Sequence, residues 1–293
     1  MTTFFLQTGY RIIIVFDKLL SIEPTNQEII ATGVNQDLRT AFDQLIQDYG
    51  AIDSQSVIVL IPAYNEEGSV GEVIEQVPEV VLGLKTQIVV INDGSTDGTA
   101  AVARSKGALV LDMPTNSGQG AALKAGYLLA LQNNVQYVAV VDGDGQWDPI
   151  DIEPLLAPLV KDEADFSQGS RKLGSTEVGD PVRDIGVSVF NRIISGLLGQ
   201  EVGDTSSGIR CYKSEVLNKV RLEQRQYQSS EILISAILAG FKLYQHPVKM
   251  SKRTAGTSKK GPNWKYGLYY LKAVLQTTVR DKYICRIVKA AHT

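Results

Sequence analysis

From Val57 onward the chain alternates short aliphatic runs with stretches of helical spacing, and that alternation limits the available folds more than any other feature. Residues 57–61, 87–91, 108–111 and 137–141 are mostly β-branched or aliphatic, as strands buried on both faces are. Between them, residues 70–77, 98–106 and 120–132 read as helices. Such alternation implies an α/β fold, a doubly wound and mostly parallel sheet with its ligand beyond the carboxyl ends of the strands. Further on, a fifth strand leads to Gly169-Ser170-Arg171, helices are expected over 184–198, 214–220 and 229–239, and a strand over 242–248. There is no internal repeat and no low-complexity tract.

The strand ends carry the chemistry. The first runs into Pro62-Ala63-Tyr64-Asn65-Glu66-Glu67, the second into Asn92-Asp93-Gly94-Ser95, and the fourth into Asp142-Gly143-Asp144-Gly145-Gln146. Two carboxylates two residues apart at a strand end can share one divalent cation, with Gly143 permitting a tight turn and Gln146 adding a neutral oxygen. The competing reading is an exposed turn, since Asp and Gly are common turn residues. Asp93 can accept hydrogen bonds from a base or ribose and Tyr64 can stack on a ring; a helix cap and a packed tyrosine are the alternatives. Asp97 is placed to cap the helix that follows. Gly118-Gln119-Gly120 is only part of a dinucleotide fingerprint, because Leu123 stands where the third glycine belongs. No Walker A sequence occurs. With two cysteines (Cys211 and Cys285) and two histidines (His246 and His292), any metal is expected to be a hard cation held by oxygen.

In order along residues 57–259, these stretches resemble a family 2 glycosyltransferase of the GT-A fold, most of all its dolichyl-phosphate mannose synthase and polyprenyl-phosphate hexose transferase branch. Beside the three strand-end motifs, the resemblance rests on Thr96-Asp97-Gly98-Thr99, Gly169-Ser170-Arg171, Ser207-Gly208-Ile209-Arg210, and Arg253 with Gly256-Thr257-Ser258-Lys259. It implies that Pro62, Tyr64, Glu66, Ile91 and Asp93 hold the nucleotide of a nucleotide-sugar donor. It implies that Asp142 and Asp144, with Gln146, hold Mg2+ or Mn2+ on the diphosphate, and that Gly143 lies with them against the donor. Arg171 would face the diphosphate or sugar, and Arg253 and Lys259 the donor or acceptor phosphates. Arg210 is a further candidate for an acceptor phosphate; for Arg171 and Arg210 the alternative is an ion pair with a nearby acid. Asp144 and Arg171 are the expected catalytic residues.

The implied reaction is inverting hexosyl transfer from a UDP- or GDP-sugar. As the anomeric carbon gains oxocarbenium character, the departing nucleoside diphosphate gains charge, which a cation and Arg or Lys groups stabilise. A hydroxyl acceptor needs a general base, whereas a phosphate is already an anion. Glu231 and Asp204 are the only base candidates late in the chain, each as easily structural, which favours a polyprenyl phosphate acceptor over a saccharide hydroxyl. A sugar-1-phosphate nucleotidyltransferase would carry a Gly-rich, Arg-containing loop where Ala63-Tyr64-Asn65-Glu66 stands. A silent binding protein has no need of Asp93, Asp142 and Asp144.

Three parts are expected: an N-terminal helical extension and linker (1–55), the catalytic domain (56–250) and a basic amphipathic segment (251–293). In the first, Thr25 and Glu28 form a capping box, and Ile30, Val34, Leu38, Ala41, Leu45 and Tyr49 recur at helical spacing, giving a helix over 26–48. Residues 241–293 hold 12 Lys and Arg against the single acid Asp281, a net +11 on a body of −14. With Leu268, Leu271 and Leu275 at helical spacing, Lys282, Arg286 and Lys289 beyond and aromatic residues around them, this end suits an anionic membrane surface; a helix packed on the catalytic domain is the alternative. No apolar run approaches the ~18 residues of a membrane span. The expectation is a cytoplasmic protein, peripheral at the cytoplasmic face of a membrane, with no nucleic acid partner and homo-oligomerisation left open.

Overall fold

A computed structural model of the chain describes residues 36–177, 181–224, 226–254 and 263–291. Eight strands form one mixed sheet in the order β2-β3-β1-β5-β7-β6-β8, with β4 also on β3. The strands are β1 (Val57–Ala63), β2 (Val80–Val81), β3 (Leu84–Asn92), β4 (Leu109–Asp112), β5 (Tyr137–Val141), β6 (Phe166–Thr176), β7 (Ile209–Lys213) and β8 (Leu243–Met250). Around them lie α1 (Gln36–Tyr49), α2 (Val70–Gln76), α3 (Thr99–Ser105), α4 (Gln119–Gln132), α5 (Ile152–Val160), α6 (Pro181–Leu198), α7 (Ser214–Lys219), α8 (Gln228–Leu238) and α9 (Asn263–Ala291). Of the helix expected over 26–48, residues 36–49 are seen as α1; 26–35 lie outside the described residues.

The β1 strand sits at the centre, parallel to β3 on one side and β5 on the other. Its alternation feeds two cores. Ile58 and Leu60 face the layer of α1, α4, α7 and α8, while Val57, Val59 and Ile61 face α2, α3 and α5. On the first side α4 approaches so closely that a Cβ on Gly126 would meet Leu60 and Ile91 at 2.9 and 3.0 Å. A third, smaller cluster of Ile194, Ile234, Tyr270 and Val274 joins α6, α8 and α9.

Two elements depart from the sequence reading. The β7 strand enters antiparallel between β5 and β6, which makes the sheet mixed on that side. It is short and carries Arg210 among buried positions, so no apolar run announces it. The α5 helix contains Pro158, with Pro154 in its first turn; the prolines read as breakers, yet apolar burial of Ile152, Leu155, Leu156 and Leu159 holds it together.

Candidate active site

The β1, β3 and β5 ends are laced into one edge. After β1, Asn65 N donates to Ser95 Oγ at 2.9 Å and Glu66 N to Thr99 Oγ1 at 2.8 Å. In return, Thr96 N donates to Asn65 Oδ1 at 2.8 Å and Gly98 N to Glu67 Oε2 at 3.1 Å. Gly98, not Asp97, takes the cap position of α3, but Asp97 Oδ1 accepts from Thr99 N, the first N–H of the helix, at 3.0 Å. Ser69 Oγ donates to the Gly143 carbonyl at 2.9 Å and lies 3.0 Å from Glu66 Oε2, which joins β1 to the turn after β5.

Asp93, only 3% exposed, accepts from Ser117 N and Gly118 N at 2.8 Å each, one on either carboxylate oxygen. Burial pushes its pKa up, and the two backbone donors act against that. The loop it holds leads straight into α4, whose Gln119 Nε2 donates to Asp142 Oδ1 at 2.8 Å. Asp93 and Asp142 are therefore linked through the same short stretch, residues 117–119. Asp142 N is bonded in turn to the Gly208 carbonyl at 3.0 Å.

Asp144 is held differently. Its Oδ1 accepts from Gln146 N at 3.1 Å, and its Oδ2 pairs with Arg253 Nη2 at 2.7 Å. Arg253 Nη1 is 3.5 Å from Glu66 Oε1, so one guanidinium spans the edges of β1 and β5. Arg253 arrives there because Ser251 N donates to the Gln146 carbonyl at 2.9 Å and Gln146 Nε2 donates to the Ser251 carbonyl at 3.2 Å. The amide of Gln146 is thereby committed, and Oε1 is the atom left for a cation.

Arg171 lies over the Trp147 ring, 5.6 Å from its centroid. Its Nε and Nη2 fork onto Asp204 at 2.6 and 2.7 Å, and Nη2 also reaches Ser206 Oγ at 2.8 Å. The ion pair weighed as an alternative for this arginine is formed, and it aims the guanidinium along the wall of a cleft of about 900 Å³. Lys172, Asn191, Arg192 and Glu201 also line that cleft. Arg192, exposed midway along α6, was not singled out in the sequence, where a solvated arginine is the default.

Tyr64 is partly exposed and Pro62 buried at the end of β1, and the Pro62 carbonyl would meet a Cβ on Gly143 at 3.2 Å. Lys259 lies outside the described residues. Four expectations are corrected. Ile91 is fully buried, its side chain under α4 in the core, so it makes no wall for a nucleotide. Arg210 is 2% exposed among Tyr127, Tyr212 and the sheet, beyond reach of an acceptor phosphate. Asp204 is locked by Arg171, and Glu231, 1% exposed, by Arg280 Nη1 at 3.0 Å and two backbone N–H groups, so neither is free to act as a base.

As a cation site the geometry offers oxygen donors only. Among the described residues no three His, Cys, Asp or Glu side chains gather around one point. Asp142 and Asp144 fit a hard cation that completes its shell with substrate oxygens and water.

Comparison with known proteins places the chain in a family. The family described as Glycosyl transferase family 2 matches residues 58–221. A dolichyl-phosphate hexose transferase of Haloferax volcanii is 30% identical over 204 residues, 70% of this chain and 86% of that one. A polyprenol monophosphomannose synthase of Mycolicibacterium smegmatis is 32% identical over 222 residues, 70% of this chain and 81% of that one. Among solved structures, glucosyl-3-phosphoglycerate synthase from Mycobacterium tuberculosis, in complex with Mn2+, UDP and glucosyl-3-phosphoglycerate, superposes with a TM-score of 0.60 at 18% identity, covering 81% of this chain and 82% of that one. The sheet is that of a GT-A fold, and the chain belongs to glycosyl transferase family 2.

Proposed function

We propose that this glycosyltransferase moves a hexose from a UDP- or GDP-sugar to a polyprenyl phosphate, with inversion at the anomeric carbon and with Mg2+ or Mn2+ on the donor diphosphate. The observation that carries the reading is the pair Asp142 and Asp144 at the end of β5, tied to the β3 end through the loop that Asp93 holds and to the β1 end through Arg253 and Glu66. The relatives named for polyprenyl-type acceptors support the acceptor class.

In this reading Tyr64 and Asp93 receive the nucleotide, Asp93 through the lone pairs that its loop bonds leave over. Pro62 and Gly143 shape the floor. Asp142, Asp144 and Oε1 of Gln146 would hold the cation, which would supply charge stabilisation to the departing nucleoside diphosphate. Arg253, which pairs with Asp144, would serve the donor phosphates, as would Lys259. Arg171, aimed by Asp204, faces the sugar and diphosphate from the cleft, and Arg192 across the cleft offers a second cation for the acceptor phosphate. With Asp204 and Glu231 both locked, a nucleophile that is already an anion suits the site. The exposed face of α9 and the exposed Val189 and Ile193 of α6 at the cleft give a surface against which a lipid bilayer can lie.

A thermal-shift panel of UDP- and GDP-sugars, with and without Mn2+, tests the donor half, and transfer of radiolabelled hexose to undecaprenyl or dolichyl phosphate tests the acceptor half. Metal-dependent stabilisation by one donor and an alkali-stable lipid product are expected. Stabilisation that ignores the metal, or transfer to a saccharide hydroxyl alone, overturns the reading.

A further inference from the structure

The loop that carries Asp204 is clamped from three helices. Thr205, buried beside Asp204, donates through Oγ1 to Asn191 Oδ1 on α6 at 2.9 Å. Its carbonyl accepts from Ser230 Oγ on α8 at 2.8 Å, and its Oγ1 accepts from the Tyr270 hydroxyl on α9 at 2.8 Å. Asn191 completes the clamp by donating to the Gly203 carbonyl at 2.6 Å. The Tyr270 hydroxyl also lies 2.5 Å from Ser230 Oγ, so Ser230, Tyr270, Thr205 and Asn191 form one buried hydrogen-bonded cluster around the loop.

We propose that Tyr270, which lies beyond the matched family region, is a positioning residue for hexosyl transfer: through Thr205 it holds Asp204 in the register that forks Arg171 toward the cleft. The tyrosine is suited to this. Its ring is fixed edge-on against Phe190 and Tyr227, with centroids 4.7 and 5.4 Å away. Burial pushes its pKa up to about 12, against its hydrogen bonds with Ser230 and Thr205, so the hydroxyl keeps its proton around neutral pH. Arg171 makes two of its bonds to the carboxylate next to Thr205, so a shift of that loop by a fraction of an ångström misdirects the guanidinium without unfolding anything. The long α9 helix thus contributes to the active site without touching it.

The inference rests on the transfer reading above, and the test separates the two. Wild type, Tyr270→Phe, Arg171→Lys and the double variant are compared for transfer to polyprenyl phosphate and for hydrolysis of the same nucleotide sugar by water, alongside melting temperature. Tyr270→Phe keeps the ring packing, so its melting point should stay near wild type while kcat/KM for transfer falls about tenfold, the scale of one well-placed hydrogen bond. In the Arg171→Lys background, where the fork is already lost, the same change should cost less than about twofold. An unchanged rate in Tyr270→Phe, or an equal loss in both backgrounds, overturns the proposal. If the wild type hydrolyses the donor yet glycosylates no lipid phosphate, the acceptor reading falls, and the coupling is decided by the hydrolysis rates with the same two outcomes.

Discussion

Asp142 and Asp144 are separated by one glycine, yet the protein treats them differently: an amide steadies the first, an arginine neutralises the second. That asymmetry yields two predictions. Asp144→Asn removes a charge but keeps the shape and the bond from Gln146, so the melting point should hold while transfer falls by at least about a hundredfold; turnover within a few-fold of wild type would refute its role. Arg253→Met removes the competitor for Asp144. Mn2+ alone should then bind more tightly, read by calorimetry, while donor KM rises because the diphosphate loses a cation. Weaker Mn2+ binding in that variant would show that Arg253 only supports the carboxylate. Both aspartates were legible in the sequence because acids directly after a buried strand stand out. Ile91 and Arg210 were not, since which face a strand residue takes depends on register, and β7 was invisible until its pairing with β5 was seen.

Among the elements, α9 shows best how tertiary context decides what a basic helix does. Arg280 reaches Glu231 and Asp281 and donates to the Arg221 carbonyl, so the helix is fastened to α8 and to the loop before it by a buried charge network. These partners push the Arg280 pKa up although burial alone would lower it. Arg280→Met strands the Glu231 carboxylate without its counter-charge, which costs about 3 kcal/mol or more. The expected outcome is a clear drop in urea midpoint with an unchanged denaturant slope; a drop of less than about 0.5 kcal/mol would mean the network is offset by its own desolvation. The strand–helix alternation of residues 57–141 foretold most of the sheet, because apolar period and glycine breaks coincide there. After residue 150 the prolines of α5 and the short, arginine-bearing β7 hid two elements that only packing stabilises.

At the scale of the whole molecule, the apolar surface of α9 lies within the most basic part of the sequence. No described helix is long and apolar enough to cross a membrane. Instead α9 buries Tyr270, Ala273, Val274, Thr277, Thr278 and Asp281 and turns Leu268, Lys272, Leu275, Val279 and Tyr283 outward. Residues spaced three and four apart in this way share one stripe. The stripe belongs to the sequence segment with net +11, while the remainder of the chain carries −14, so the proposed contact with an anionic bilayer would gain from charge as well as from apolar burial. The α6 helix beside it exposes Val189 and Ile193 at the cleft, where a lipid-borne phosphate would enter. Replacing Leu275 and Val279 together by serine should lower partitioning onto phosphatidylglycerol-containing vesicles at least about tenfold, from the methylenes withdrawn from the interface. Transfer to a short-chain, water-soluble polyprenyl phosphate should stay at the wild-type rate, because neither side chain lines the cleft. Raising salt should weaken wild-type binding in part, removing the charge contribution and leaving the apolar one. Equal vesicle binding by the variant, or none by the wild type, would place the lipid acceptor's approach elsewhere on the protein.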